Sequence, residues 1–146
     1  MNLVLGNDNW LRASSMYIRY LVFVEEQQIS QEDEFDHLDT DGTYYVVIYN
    51  DQKQPISTAR FVDDLDPNEE TFRICRVATI KEARGQGLGS QCIQALEKFG
   101  AQKGFKKCLI HADITALPFY QSLGYQECSE HFMEDGVECV LVNKVI

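Results

Sequence analysis

Hydrophobic and polar positions change period several times along this chain, and each change marks an element. Leu3-Val4-Leu5 predict a short strand over residues 2–5. Asp8 or Asn9 can cap a helix from Trp10 to about Glu26, with Trp10, Ser14, Tyr17, Leu21 and Val24 spaced as its core-facing side. The polar stretch 28–42 reads as loop or short distorted helix. Tyr44 to Tyr49 and Ile56 to Val62 predict a strand pair turned at 50–54, and a second polar connection covers 63–68. Residues 71–79 predict a strand, and Leu88, Cys92, Leu96 and Phe99 repeat at helical spacing until Gly104 stops them. A strand over 106–112 follows, then a short helix over about 115–123 ending at Gly124. Two strands near 125–133 and 137–145, around the Glu134-Asp135-Gly136 turn, close the chain. Strands with interposed helices make the fold class α/β (or α+β), with a mixed sheet of about six to seven strands flanked by helices.

Between the strand at 71–79 and the following helix stands Arg84-Gly85-Gln86-Gly87-Leu88-Gly89. A helix's first N–H groups lack intrahelical acceptors and its dipole leaves that end partly positive, so Ser90 and the residues before it form an anion-binding turn. Glycines let the backbone approach a phosphate closely, and Arg84 adds a charge-assisted donor. The spacing is neither Gly-x-Gly-x-x-Gly nor a Walker P-loop. The alternative is a tight turn that merely starts a structural helix.

Arg-x-x-Gly-x-Gly in this setting resembles motif A of the GCN5-related N-acetyltransferases (GNATs). Asp113-Ile114-Thr115-Ala116-Leu117-Pro118-Phe119-Tyr120-Gln121-Ser122-Leu123-Gly124-Tyr125 is similar to that family's Asn-x-x-Ala-x-x-Phe-Tyr-x-x-x-Gly-Phe signature, with Asp113 in the Asn place and Tyr125 in the Phe place. Arg19, Val22-Phe23-Val24 and Glu26-Gln27, followed by acidic residues to Asp36, look like the small stand-alone bacterial ElaA-like members. One departure stands out: where such proteins often carry Gly-x-x-His, this chain has Gly136-Val137-Glu138-Cys139.

The resemblance implies the GNAT fold over one domain, residues 1–146, and acetyl-CoA as co-substrate. Its pyrophosphate would sit on Arg84 to Ser90, with further cofactor contacts from Asp113 and Phe119. The pantetheine arm would bond the main chain of Val77, Ala78 and Thr79, on a strand that carries a bulge and splays from its neighbour. Tyr120 would be the proton donor to the leaving thiolate; its ordinary pKa of about 10 keeps it protonated at neutral pH. Packing the short helix against the core is its other reading. For the base, Glu26 and His111 are candidates, beside a water chain with no single base. Cys139 as a nucleophile has no visible activating partner. Small members of the family are often dimers, so a homodimer is an expectation too.

Composition narrows the partners. The chain has 146 residues, 45% hydrophobic and 25% charged, and a formal net charge of −10. Such a surface disfavours nucleic acid and anionic membranes, which need clustered Lys and Arg. No apolar run approaches the roughly 20 residues that span a bilayer, and the first residues lack the basic and apolar regions of a signal peptide. An odd set of five cysteines without Cys-x-x-Cys, and three scattered histidines, point to reduced thiols, no metal and a cytoplasmic protein. Glu32, Asp33, Glu34, Asp36, Asp39 and Asp41 concentrate the acidity. They read as a solvated loop, or as a field that draws in a cationic acceptor.

The expected activity is acetyl transfer from acetyl-CoA directly to a primary amine of a small molecule or peptide. Two alternatives remain: an acetyl-CoA-binding sensor without catalysis, and an acyl-homoserine-lactone-synthase-like acyltransferase. The latter rests on Arg19 through Phe23 and Glu34-Phe35-Asp36, but those synthases are longer and lack the Arg-x-x-Gly-x-Gly turn.

Overall fold

The computed structural model describes residues 1–63 and 70–146, so the connection expected at 63–68 lies, beyond Asp63, outside the described residues. The strands are β1 (Asn2–Gly6), β2 (Tyr44–Tyr49), β3 (Pro55–Val62), β4 (Thr71–Thr79), β5 (Lys107–Asp113), β6 (Gln126–Glu127), β7 (Phe132–Glu134) and β8 (Val137–Val145). They form one mixed sheet in the order β1-β2-β3-β4-β5-β8-β6, with β7 also paired to β8. The strand expected over 125–133 is therefore two short ones. Between them the Leu141 N–H bonds the Ser129 hydroxyl (2.9 Å) instead of a strand carbonyl, which breaks the ladder. Asp135 and Gly136, both at positive φ, make the two-residue hairpin from β7 to β8.

Helix α1 (Asn9–Arg19) covers one face of the sheet, and the chain then winds as a π-helix over Tyr20–Glu26 rather than continuing as α. The Gln27 N–H reaches back five residues to the Val22 carbonyl (3.1 Å). The core-facing stripe is one position off the expected one. Leu11, Ser15, Ile18 and Val22 are buried, while Trp10 and Tyr17 are 57% and 55% exposed. One residue is about 100° of helix, so the aromatics, though the largest apolar groups, face outward. On this side Leu11, Ile18 and Val22 pack against Tyr45, Val47 and Ala78. On the other side Leu88, Ile93 and Leu96 of α3 (Leu88–Gln102) meet Val46, Phe61, Phe72 and Ile74. The approach is close enough that a Cβ on Gly100 would overlap the Phe72 ring at 2.3 Å.

The bulge implied for β4 is present. Thr58 pairs with Ala78 and Arg60 with Cys75, so Arg76 and Val77 together oppose Ala59. Arg76 takes φ +56°, a left-handed value rare for a non-glycine residue. The extra residue flips the strand's alternation. Phe72 and Ile74 face α3 before it; afterwards Ala78 faces α1, and Val77 and Thr79 lie beside Gly89 at the start of α3. β4 pairs with β5 only from Thr71 to Arg73, so the two strands part and leave a wedge.

The acidic segment, with its short helix α2 (Gln31–Glu34), is not simply a solvated loop. Glu34, Asp36 and Asp39 turn inward onto Arg19, Arg60 and Arg76. Arg19, fully buried, donates to Glu34 Oε2 (2.9 Å) and to both oxygens of Asp39 (2.8 and 2.9 Å). Arg76, the bulge residue, donates to the Asp33 and Glu34 carbonyls and to Asp36 Oδ2 (3.0 Å). Burial works against charge on Asp39 and Asp36, yet the bonds from Arg19 and Arg60 hold both carboxyls below their usual range. Burial pushes Glu34 the other way, up, against the pull of Arg76 and Arg19.

A depressed folded-state pKa gives stability that is complete above the unfolded value, about 3.9 for Asp, and lost as pH falls through the folded one. The two depressed aspartates outweigh Glu34, whose raised pKa acts in the opposite sense. Thermal melts should therefore be flat near neutrality and drop below about pH 4. Asp39→Ala leaves the buried Arg19 with Glu34 as its one carboxylate and its Nη1 unpaired, and should cost about 2–3 kcal/mol at pH 7. A melting temperature within about 2 °C of the parent would show the cluster to be dispensable.

Candidate active site

The glycine turn gives α3 its start at Leu88, where the helical spacing of apolar residues also begins. Gly87, at φ +75°, precedes the helix, and the first intrahelical bond runs from the Gln91 N–H to the Gly87 carbonyl (3.2 Å). The N–H groups of Leu88, Gly89 and Ser90 come before it and have no acceptor within the helix. A Cβ built on Gly85 or Gly87 would meet nothing within 4 Å, so the turn faces open space. That space is a cleft of about 710 Å³. One wall is Val77, Ala78 and Thr79 of β4; the floor is the turn from Arg84 to Ser90; Phe119 and Tyr120 close the other side. Free amides, an arginine and a mostly apolar wall suit a nucleotide pyrophosphate with an extended arm. Of the residues expected here, Gln86 turns away into a separate depression beside Asn50 and Ile80. Asp113 is absent from the cleft wall as well.

Glu26 also departs from expectation. Its carboxylate accepts two bonds from Arg84 (2.6 and 2.7 Å), which hold its pKa below the ordinary value. It lines a shallow site with Leu21 and Lys81, apart from both the cleft and the cavity described next. The π-helical winding brings it there, and the pairing makes it a weak base.

A second cavity, of about 320 Å³, occupies the wedge between β4 and β5. Phe23 and Gln27 from the π-helical turn form one side, and Arg73, Cys75 and Arg76 line β4. Opposite stand His111 and Asp113 of β5 and Glu134 of β7. Val77, Ala116 and Tyr120 border both cavities, so the two spaces meet there.

Tyr120 is in α4 (Leu117–Ser122), which ends in a glycine cap: the Tyr125 N–H bonds the Tyr120 carbonyl (3.1 Å) and the Gly124 N–H that of Gln121 (3.0 Å). The ring packs edge-on against Phe119 and Tyr125. Burial pushes its phenol up to about 12, with Asp113 adding to the rise. Among the described residues its hydroxyl has no hydrogen-bond partner.

The Nδ1 atom of His111 lies 3.2 and 3.3 Å from the Glu134 carboxylate oxygens. A carboxylate accepts, so Nδ1 carries the proton and Nε2 is the free, basic nitrogen of the neutral ring. Burial first, then the charge of Arg73, lower its pKa against the opposing pull of Glu134. Asp113 spends one oxygen capping the turn after β5, accepting from the Thr115 N–H and hydroxyl (2.8 and 2.9 Å). Burial and the nearby Glu134 and Asp113 raise the Cys139 thiol, which makes it a poor nucleophile. Local pattern pointed to neither Arg73 nor Glu134. One is a polar residue inside a strand, the other a turn residue, and only the splay brings them together. Among the described residues no group of three or more His, Cys, Asp or Glu could hold a metal.

Residues 21–145 match the family model described as Acetyltransferase (GNAT) domain. The chain belongs to the GNAT acetyltransferase family. It is 38% identical over 136 residues to the uncharacterized protein YyaT of Bacillus subtilis, covering 90% of this chain and 87% of YyaT. It superposes on a candidate N-acetyltransferase from Lactobacillus plantarum at 36% identity with a TM-score of 0.92, covering 99% of this chain and 97% of that one. Escherichia coli ElaA, at 22% identity over 97% of each chain and a TM-score of 0.81, shares the fold. Members of this family generally take acetyl-CoA, and the cleft has the elements to hold it.

A phosphate bound at Arg84 would have to displace Glu26, so Glu26→Gln should tighten acetyl-CoA binding roughly two- to fivefold by calorimetry, most clearly at low salt. The same variant should keep its kcat. A fall of about 10²-fold would return Glu26 to the role of base.

Proposed function

We propose that the chain is an acetyl-CoA-dependent N-acetyltransferase that moves the acetyl group directly to a primary amine of a small molecule or peptide. The observation that carries this reading is the junction at Val77, Ala116 and Tyr120, where the cofactor-sized cleft meets the polar cavity holding His111. Acetyl-CoA supplies the activated acyl group as a thioester. The chain holds it with the N–H groups of Leu88, Gly89 and Ser90, with Arg84, and with the backbone of Val77 to Thr79 where the bulge exposes it.

Two protons then need handling. An alkyl ammonium ordinarily titrates near about 10.4 and must lose a proton before its nitrogen can attack. His111 accepts it at Nε2, with Glu134 fixing the ring through Nδ1. The C–N bond forms as the C–S bond breaks; the nitrogen then sheds its second proton, and a proton taken up by the thiolate developing beside Tyr120 lets it leave as the thiol. A phenol near about 12 is much less acidic than a thiol, ordinarily about 8.5, so full proton transfer from Tyr120 runs uphill. Tyr120 therefore acts by donating a hydrogen bond to the forming thiolate. Its burial keeps it protonated throughout the working pH range.

Thiol release from acetyl-CoA with a broad amine panel tests the activity; no release with any amine, from protein that binds acetyl-CoA, would favour a sensor. Tyr120→Phe should keep acetyl-CoA affinity and lower kcat by roughly 10²-fold, the scale for loss of one preorganised donor. An unchanged kcat, with chemistry rate-limiting, would leave Tyr120 a packing residue. Since His111 must be neutral and its pKa lies below about 6.5, kcat/KM should fall only on the acid side of that value. Arg73, Arg76, Asp113, Glu134 and Tyr120 share its cavity, and removing the Arg73 charge should move this acid limb upward. A limb that stays put in both Arg73→Met and His111→Gln would take His111 out of the proton path.

A further inference from the structure

Arg73 has a charge without a counterpart. Arg19, Arg60 and Arg76 are all matched to carboxylates, whereas among the described residues Arg73 forms no ion pair. Its Nε is buried and has no hydrogen-bond partner. Buried donors are almost always satisfied, so an orphan calls for a reason. The guanidinium borders the wedge cavity, and Arg73 pairs with Leu109 on the last rung before β4 and β5 part. It thus stands at the closed end of the wedge. Tyr120 and the junction with the cofactor cleft mark the other.

We propose that the acceptor is a small amine that also carries a carboxylate, bound with its carboxylate on Arg73 and its amine towards His111. This deepens the N-acetyltransferase reading and rests on it. A carboxylate supplies the missing acceptor for Nε and offers a guanidinium its preferred planar, two-point partner. The other charges in the cavity decide the number of negative charges. Asp113 and Glu134 face the same space, and Arg76 is already held by Glu34 and Asp36. A dianion such as a phosphate would meet one free cation and two carboxylates; a monoanion with a positive amine is balanced at both ends. A volume of about 320 Å³ is at the small end of ligand pockets and suits an amino-acid-sized molecule rather than a protein surface. The inward turn of Glu34, Asp36 and Asp39 removes the field that would have favoured a purely cationic acceptor.

The test uses the full chain with the twenty L-amino acids, their amides, the matching decarboxylated amines and the aminoalkylphosphonates, following thiol release from acetyl-CoA. The carboxylates should be preferred over their amides by roughly 10- to 100-fold in kcat/KM, as expected for a bond to a charged group. Arg73→Met should bring that ratio close to one, and Arg73→Lys should recover part of it. A merely structural role would lower both rates and leave the ratio intact. Preference for amides, bare amines or phosphonates, or a ratio unmoved by Arg73→Met, overturns the proposal. A second readout is independent of turnover: the Nε–H resonance of Arg73, assigned by its loss in Arg73→Met, should shift with the amino acids and not with their amides. If no amine releases thiol, the direct-transfer reading fails, and that resonance alone decides whether the carboxylate site exists.

Discussion

The site depends on one backbone irregularity, the extra residue in β4 at Arg76 and Val77. Without it Val77 and Thr79 would face α1 and Ala78 would face α3, the reverse of what a cofactor cleft beside the glycine turn requires. A left-handed Arg76 costs of order 1–3 kcal/mol, and something must hold it. The holder is the acidic segment. Glu34 and Asp36 take the Arg76 guanidinium, and the same carboxylates reach Arg19 on α1 and Arg60 on β3. Three arginines and three carboxylates, on four parts of the chain, fix the point where the sheet opens. A surface charge cluster could not do this, because solvent would screen it and its side chains would wander. Here Arg19, Glu34 and Asp39 are each no more than 3% exposed.

The opened wedge then sorts the chemistry by element. β4 presents Val77 to Thr79 to the cleft on one side of the bulge and Arg73 and Arg76 to the wedge cavity on the other. β5 brings His111 opposite Arg73 because it shares only three rungs with β4. β8, paired to β5 along its length, carries β7 and so presents Glu134 to His111. The π-helical turn has two outputs: Phe23 and Gln27 line the wedge cavity, and Glu26 neutralises Arg84 at the glycine turn. The π-helical turn thus links the glycine turn at Arg84 to the wall of the wedge cavity.

Much of this was legible in the chain. Arg84 to Gly89 after a strand and before a helix announced the cleft, because glycines at positive φ and unpaired helix amides are local properties. Tyr120 was legible for the same reason, in a contiguous motif. The bulge came through family resemblance alone, since nothing in Arg76-Val77 marks a left-handed arginine. Misreadings arose where tertiary context overrode local pattern. Trp10 and Tyr17 read as core because aromatics dominate any apolar count, yet the smaller Leu11, Ser15 and Ile18 face the sheet. The carboxylates at 34–39 looked like a solvated run because their arginine partners lie up to 42 positions away. Arg73 and Glu134 became meaningful only when the splay placed them in one cavity.

Direct transfer requires acetyl-CoA and amine to be present together across the Tyr120 junction, with no acetylated protein between. Initial rates measured while both substrates are varied test this most directly. With a ternary complex the double-reciprocal lines intersect, and that is the expected result. Parallel lines, with an acetyl group found on the protein by mass spectrometry after exposure to acetyl-CoA alone, would mean a covalent intermediate and would contradict it.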